Sequence, residues 1–422
     1  MRAEKISRAA DDFPQRARGA VLVEKLFERT FLTEIFIEVL VCMKKNLINK
    51  IYIGIFFAIL VVPLLAINRD SEDISEQENR PLSALPQLFK NGSINKNITT
   101  DIENYLNDRI GFRDALISAN ALMQYHIFDR MENGKRYRLG PDGEFHIIEN
   151  SMLEDYQHLN LFSDEKLAKH VDSFETVKDY LEKRNCEFYY MQCWDKQSIY
   201  PEYFPRSVNQ YGDISRTDQL LEALGSRTDI DVIPLKQTLI DGKDDYEVYS
   251  KYGDPVHWTQ RGAFLSYNDV MDTLNKKHDF KVLGEDDFDI TITDQGMSFY
   301  GGVRRSNFSE DFKLKNANAV LDENYKNEHE VFGDTKIYHF TNDAAGNDTR
   351  VMIVGNSFIV NYLKEDFAES FGDMLMVWND IGEDFPSWVE EYDPDIVIFE
   401  MVERYASYGK LDKAAKKIKG TL

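Results

Sequence analysis

Five short apolar segments that alternate with amphipathic stretches constrain the fold of this 422-residue chain more than any other feature. The segments are residues 187–193, 230–235, 351–354, 374–377 and 396–400. Ser163 and Thr259 are predicted N-caps of two intervening helices whose apolar residues keep helical spacing. Apolar strands that alternate with helices predict an α/β fold with a parallel sheet covered on both faces. Ligands of such sheets bind at the carboxyl ends of the strands.

Three other parts of the chain carry weaker patterns. Residues 102–128 are predicted to form a helix that is broken near Gly111, and residues 135–148 a hairpin around a Gly-Pro-Asp-Gly turn. Residues 280–345 are expected to be an irregular insertion between the strands at 230–235 and 351–354.

The net charge argues against a nucleic-acid partner, and the spacing of the cysteines argues against a structural disulfide. The formal net charge is -23, which argues against a nucleic-acid partner, because such binding depends on Lys and Arg that neutralise phosphates. Cys186 and Cys193 lie seven residues apart on one predicted strand, about 23 Å at about 3.3 Å per residue. That separation is too large for a bridge, so we expect no structural disulfide.

An uncharged apolar run at residues 51–67 follows Lys44, Lys45 and Lys50. It fits an uncleaved single-pass anchor better than a cleaved signal, because Leu65-Ala66-Ile67 is a poor cleavage site. A buried core helix is the third alternative. The basic flank places the bulk of the chain on the extracytoplasmic side of the cell membrane. The predicted organisation is a cytoplasmic segment at 1–50, the anchor at 51–67, a linker at 68–100 and a folded domain at 101–422. Translation is expected to begin at Met43, so the first 42 residues are expected to carry little order.

Two short motifs carry the candidate chemistry. Asp254 lies three residues before His257, and Ser357 follows a β-branched strand and precedes a helical pattern. A serine on such a strand-to-helix turn can act as a nucleophile, with the histidine as its base and the aspartate orienting the imidazole. The backbone N–H groups of the helix amino terminus can stabilise an oxyanion. Each residue has a simpler alternative, since Ser357 can be a helix cap and His257 a structural histidine.

Other residues near these motifs are weaker candidates. Substrate-binding or oxyanion roles are assigned to Gly355, Asn356, Lys196, Tyr200 and Trp258, of which Lys196 and Tyr200 follow the carboxyl end of the first strand. A surface loop is the alternative for that pair. Metal binding by Asp254 and His257 is a weaker alternative, because no further ligand accompanies them at familiar spacing, and no metal is expected. No acetyl-CoA site or other cofactor is expected either, because the chain has no phosphate-cradling glycine loop and the domain is predicted to lie outside the cell membrane.

Taken in order along residues 76–405, several motifs resemble the AlgJ/AlgX group of alginate O-acetylation proteins and the related DHHW proteins. These are circularly rearranged members of the SGNH hydrolase-like superfamily. The motifs are Glu78-Asn79-Arg80-Pro81-Leu82, Asp108-Arg109-Ile110-Gly111-Phe112-Arg113-Asp114, Gly140-Pro141-Asp142-Gly143-Glu144-Phe145, Asp195-Lys196-Gln197-Ser198-Ile199-Tyr200-Pro201-Glu202, Asp254-Pro255-Val256-His257-Trp258, Gly355-Asn356-Ser357-Phe358 and the segment 394–404.

The resemblance implies a three-layer, flavodoxin-like SGNH fold with Ser357 as nucleophile, His257 as general base and Asp254 as the orienting acid. It also implies a membrane-bound O-acyltransferase as acetyl donor and a polysaccharide as acceptor. Two departures stand out. The family usually has one residue between the aspartate and the histidine, where this chain has Pro255 and Val256, and its nucleophile motif usually begins Gly-Asp-Ser rather than Gly-Asn-Ser.

The leading hypothesis is therefore an anchored, outward-facing O-acetyltransferase that acts on an exopolysaccharide or cell-wall glycan through a serine acyl-enzyme. An acetyl esterase with water as acceptor is the first alternative. A non-catalytic subunit that binds or assembles glycan is the second.

Overall fold

The computed structural model describes residues 45–69, 74–75, 80–90, 92–128, 130–131, 137–149, 151–299, 302–329, 331, 335–379, 382–405 and 409–420. The division between two compact units falls between Ile117 and Ser118. The first unit contains α1 (Lys45–Leu65) and α2 (Ile98–Arg109). Helix α3 (Arg113–Phe128) begins in the first unit and ends in the second. The strands of the first unit are β1 (Ile74–Ser75), β2 (Arg80–Pro81), β3 (Phe89–Lys90) and β4 (Ser93–Ile94), which form two antiparallel pairs. The predicted helix break near Gly111 is confirmed.

Helix α1 contains residues 51–65 of the apolar run that was predicted to be an anchor, and its large apolar side chains, Phe57 and Leu65 among them, are exposed. Across the described ranges, none of the helices combines the length and the apolar character that crossing a membrane requires. The anchor at 51–67 stays a prediction, and most of the segment before it lies outside the described residues.

The second unit contains a larger set of strands and helices. Its strands are β5 (Tyr137–Leu139), β6 (Phe145–Ile147), β7 (Glu187–Cys193), β8 (Asp231–Ile233), β9 (Phe288–Asp294), β10 (Ser298–Phe299), β11 (Val303–Arg304), β12 (Phe308–Leu314), β13 (Val320–Leu321), β14 (Ile337–Thr341), β15 (Arg350–Gly355), β16 (Asp373–Trp378) and β17 (Ile396–Val402). Its helices are α4 (Met152–Tyr156), α5 (Asp164–Glu182), α6 (Lys196–Ile199), α7 (Arg216–Arg227), α8 (Lys236–Gly242), α9 (Gln260–Leu274), α10 (Tyr325–Glu328), α11 (Ser357–Tyr362), α12 (Lys364–Ser370), α13 (Phe385–Tyr392) and α14 (Gly409–Ile418).

A seven-stranded sheet with the order β13-β14-β16-β15-β17-β7-β8 organises this unit. The five predicted strands form its parallel part. Their side chains alternate between two cores. Ile353 and Ile398 pack with α9, α11 and α12 on one face, whereas Val354 and Phe399 pack with α5, α7 and α13 on the other. Each such buried apolar side chain contributes about 1.5–3 kcal/mol. The three-layer arrangement and the mostly parallel sheet are therefore confirmed.

The two predicted helix N-caps are also confirmed. The Ser163 side chain accepts a hydrogen bond from the Lys166 N–H at the start of α5, and Thr259 accepts one from the Gly262 N–H at the start of α9. The hairpin β5–β6 is antiparallel, and Cys186 and Cys193 are both free and buried.

The expectation of an irregular insertion at residues 280–345 was wrong. Strands β9 and β12 form a regular antiparallel pair with seven paired residues each, and β14 joins the central sheet antiparallel to β16. The sheet is thus mixed rather than wholly parallel. The connection at 342–349 joins β14 to β15 and is too short for a crossover between parallel strands, which takes a dozen or more residues, so the chain reverses there. Because β15 and β16 are parallel, β14 runs antiparallel to β16.

Candidate active site

Asp254 and His257 lie on the loop that ends at the Thr259 cap of α9. The Asp254 carboxylate uses both of its oxygens. Oδ1 accepts the backbone N–H groups of Val256 at 2.8 Å and of His257 at 3.3 Å, and Oδ2 lies 2.7 Å from His257 Nδ1. The two intervening residues therefore allow one carboxylate to order the loop and hold the imidazole together.

Ser357 is the first residue of α11, directly after β15 and the cap residue Asn356. Its Oγ lies 2.7 Å from His257 Nε2. When Nδ1 carries the proton that it donates to Asp254, Nε2 is free to accept the serine hydroxyl proton. The structure thus joins three residues from two distant loops in one hydrogen-bonded chain, with the geometry that nucleophilic catalysis by serine requires.

The electrostatics of the site follow from burial and from these contacts. Burial alone would raise the pKa of Asp254, but hydrogen bonds from the His257 side chain and from the loop backbone outweigh it and lower this pKa. The pKa of Tyr362 is raised by burial and by the charge of Asp254, to which its hydroxyl donates. The ring of Tyr362 lies 5.7 Å from that of His257. Asp254 is thereby held as an anion beside the imidazole.

Glu400 of β17 supports the serine turn from within the sheet. Its Oε2 accepts the Asn356 N–H at 2.8 Å and its Oε1 accepts Asn356 Nδ2 at 3.1 Å. Burial raises the pKa of Glu400 to about 7, while its hydrogen bonds and the nearby Arg404 oppose that rise. Gly355 permits this close approach, because an added Cβ would lie 2.9 Å from the Ile359 side chain and 3.3 Å from Glu400 Oε2.

Arg404 supports the histidine loop from the other side. It donates to the Val256 carbonyl at 3.1 Å, and its guanidinium lies 5.6 Å from the Phe358 ring centre. It also forms an ion pair with the fully buried Asp195. Sequence reasoning assigned no role to Glu400 or Arg404. The available signal was a carboxylate inside an otherwise apolar strand, since buried charges are rare unless they are paired.

The weaker candidates lie elsewhere or are already engaged. The Asn356 side chain caps α11 through Phe358 N and donates to Glu400, so it is committed to the turn. Trp258 is buried, with its ring 4.9 Å from that of Phe358. Tyr200 is buried, and its hydroxyl accepts the Val248 N–H. In the structure, neither Trp258 nor Tyr200 forms a hydrogen bond with Asp254, His257 or Ser357.

Lys196 is buried rather than displayed to solvent. Its Nζ donates to the Phe145 carbonyl at 2.8 Å and to the Ser250 carbonyl at 2.6 Å, which ties the β5–β6 hairpin to the segment that leads to Asp254. Burial lowers the pKa of Lys196 to about 7. A neutral amine still has two hydrogens, enough for both carbonyls.

Lys196 should make stability depend on pH. Its pKa is lower in the folded protein than in the unfolded chain, so the unfolded state binds more protons between about pH 7 and pH 10 and the free energy of unfolding rises with pH there. The gain is at most about 1.4 kcal/mol per unit of pKa difference. Lys196→Met should remove this contribution, so that denaturant unfolding at several pH values gives a flatter profile for the variant. Parallel profiles would contradict the assignment.

A cavity of about 200 Å³ opens beside Asp254. It is lined by Ser250, Asp254, Trp258, Thr259, Gln260, Gln295, Met297, Ser309, Glu310 and Tyr362. Among the described residues, no group of three His, Cys, Asp or Glu side chains is arranged to hold a metal ion.

Residues 153–364, half of the chain, match the family described as SGNH hydrolase-like domain, acetyltransferase AlgX. The match includes Asp254, His257 and Ser357. A search of curated proteins found no match.

Several solved structures are similar in fold. PatB1 from Bacillus cereus with a sulfonyl adduct has a TM-score of 0.49 and 16% sequence identity, covering 65% of this chain and 97% of that chain. The O-acetyltransferase domain of AlgJ from Pseudomonas putida has a TM-score of 0.42 and 11% identity, covering 64% and 92%. A DHHW family protein from Eubacterium siraeum has a TM-score of 0.42 and 14% identity, covering 60% and 89%.

Proposed function

Because the chain belongs to the family of SGNH hydrolase-like, AlgX-type acetyltransferase domains, we propose that it is an extracytoplasmic O-acetyltransferase that acts through an acetyl-serine intermediate. The acceptor is a hydroxyl of an exopolysaccharide or cell-wall glycan. The observation that carries this proposal is the hydrogen-bonded chain from Asp254 through His257 to Ser357, with 2.7 Å at each step.

The first half-reaction moves the acetyl group onto the enzyme. Ser357 Oγ attacks the carbonyl carbon of the donor acetyl ester while His257 Nε2 takes the hydroxyl proton. The tetrahedral intermediate then expels the donor alcohol, which receives that proton from His257, and acetyl-Ser357 remains. Asp254 holds the imidazole in the tautomer that can accept the proton and stabilises the imidazolium.

The second half-reaction reverses these steps with a sugar. His257 deprotonates the acceptor hydroxyl, whose oxygen attacks the acetyl-Ser357 carbonyl, and the proton returns to Ser357 Oγ. The N–H groups of Asn356 and Phe358 are already bonded to Glu400 and to the Asn356 side chain. The Ser357 N–H is therefore the backbone donor at this turn that we assign to the oxyanion.

The cellular setting is part of the same proposal and rests on the sequence. The basic flank and apolar run at 51–67 favour an anchored protein that faces outward. The resemblance supplies the rest, namely a membrane-bound O-acyltransferase as acetyl donor and a circularly rearranged order of the SGNH motifs.

The test uses the full chain purified in detergent, a chromogenic acetyl ester as donor and neutral or acidic oligosaccharides as acceptors. A transferase gives acetylated sugar, detected by mass spectrometry, and its ester turnover responds to acceptor concentration. Release of acetate alone, with no acetylated sugar from any acceptor, would show that the protein is an esterase and not a transferase. A folded protein that binds oligosaccharide but forms neither product would indicate the non-catalytic subunit.

A further inference from the structure

We propose that Asn356 and Glu400 form a matched hydrogen-bonding pair that positions Ser357 for attack, so that neither residue can be exchanged for its acid or amide counterpart alone. Both are positioning residues, since they contact the serine turn and not the reacting atoms. The proposal rests on the proposed function, because its main readout is the chemistry of Ser357.

The Asn356 side chain needs both an acceptor and a donor. Its Oδ1 accepts the Phe358 N–H at 2.9 Å, which caps α11, and its Nδ2 donates to Glu400 Oε1 at 3.1 Å. A carboxylate at position 356 has the acceptor but lacks the donor. The cap and the contact with Glu400 are thus made by the two ends of a single amide.

Glu400 needs to accept hydrogen bonds with both oxygens. Besides Nδ2, the backbone N–H of Asn356 donates to Oε2 at 2.8 Å. Strands β15 and β17 are parallel neighbours in which Val354 lies opposite Phe399, so Glu400 stands beside the end of β15 where the turn begins. Glu400 and Asn356 are both buried. Inside the protein, an unmatched donor or acceptor at this contact finds no water to replace its partner.

The position of Ser357 depends directly on this contact. The residue lies between two backbone N–H groups that the pair holds, those of Asn356 and Phe358. Its Oγ must stay within hydrogen-bond distance of His257 Nε2, which is 2.7 Å away. A misplacement of about 1 Å at a reacting group can lower a rate about 100-fold. Release of either N–H group therefore moves the nucleophile relative to its base.

Each single exchange creates a clash of like groups. Asn356→Asp places two carboxylates against each other in a buried site, which forces one to take up a proton or to move away. Glu400→Gln brings an NH₂ group against one of the two N–H donors of Asn356. The double variant Asn356→Asp/Glu400→Gln restores the complement, because the glutamine donates to the aspartate and accepts the backbone N–H, while the aspartate still caps α11.

The experiment is a double-mutant cycle on kcat and KM for a chromogenic acetyl ester, together with thermal unfolding of the four full-length proteins. Each single variant is expected to lower kcat by about 10- to 100-fold with little change in KM. The double variant is expected to return to within about threefold of the wild type, far above the product of the two single effects. A folded double variant as impaired as that product would overturn the proposal.

Asn342→Asp is the matched control. Asn342 is also buried and uses both ends of its amide, accepting from the Ala344 N–H and donating to the Ala368 carbonyl. It should lower the melting temperature, leave kcat unchanged and gain nothing from Glu400→Gln. If a single variant fails to fold, an active double variant still supports the pair and an inactive, folded one contradicts it. A wild type that forms no acetyl-Ser357 would overturn the proposed function instead, and the cycle on thermal unfolding would then decide whether the two residues are coupled.

Discussion

Ser357→Ala is expected to lower kcat for acetyl-ester turnover by about 10⁴-fold or more, because it removes the nucleophile while the binding surfaces remain. The Oγ that contacts His257 Nε2 at 2.7 Å is the only change. Wild-type protein mixed with the chromogenic ester should gain the mass of one acetyl group on the peptide that contains residue 357. The alanine variant should show no burst and no mass gain.

Ser226→Ala is a suitable control for that experiment. Its hydroxyl donates to the Ala223 carbonyl within helix α7, away from the candidate site. This variant should keep wild-type turnover and acetylation. Unchanged turnover in folded Ser357→Ala would place the nucleophile elsewhere and would remove the basis of the proposed mechanism.

The parallel core of the fold could be predicted from the sequence because its strands and caps are local signals. Residues 351–354 and 396–399 are apolar and mostly β-branched, which suits strands that are buried on both faces. Ser163 and Thr259 begin their helices as caps, and the structure confirms both. A strand or a cap of this kind is specified by its own residues and by those within one turn.

The antiparallel edge of the sheet could not be predicted with the same security. Strand β14 pairs with β16, whose residues come more than thirty positions later in the sequence, after β15, although β16 lies between β14 and β15 in the sheet. Its sequence, Ile-Tyr-His-Phe-Thr, contains a histidine and does not indicate which strand it pairs with. Strand β9 did carry a readable signal, because Phe288-Asp-Ile-Thr-Ile-Thr-Asp294 alternates apolar and polar residues. This period favours a strand rather than the irregular insertion that was expected at residues 280–345.

Only part of the candidate site could be predicted from the sequence. The residue types of Asp254, His257 and Ser357 could be proposed from motifs, but their mutual distances depend on how the loop before α9 meets the end of β15. The contributions of Glu400 and Arg404 depend on neighbours that the sheet brings together, since β17 lies between β15 and β7. Contacts between residues so far apart in sequence require the three-dimensional structure.

Asp254→Asn is expected to lower kcat by about 10²- to 10⁴-fold while leaving KM and the melting temperature close to those of the wild type. The asparagine oxygen can still accept the N–H groups of Val256 and His257, so the loop is expected to keep its shape. The amide NH₂ would face His257 Nδ1 in place of Oδ2. It favours the tautomer in which Nδ1 accepts and Nε2 carries the proton, and that tautomer cannot take a proton from Ser357.

Two comparisons separate this tautomer effect from a general disturbance of the site. Tyr362→Phe removes one hydroxyl donor from Asp254 but leaves the carboxylate facing Nδ1, so it should lower kcat only about threefold, in line with the loss of one hydrogen bond. Asp254→Ala removes the backbone acceptor as well and should also lower the melting temperature. Near-wild-type kcat in Asp254→Asn would show that His257 does not depend on Asp254 for its orientation. Equal losses in Asp254→Asn and Tyr362→Phe would instead assign the effect to packing around the imidazole, because the two variants share that environment and differ in the group that faces Nδ1.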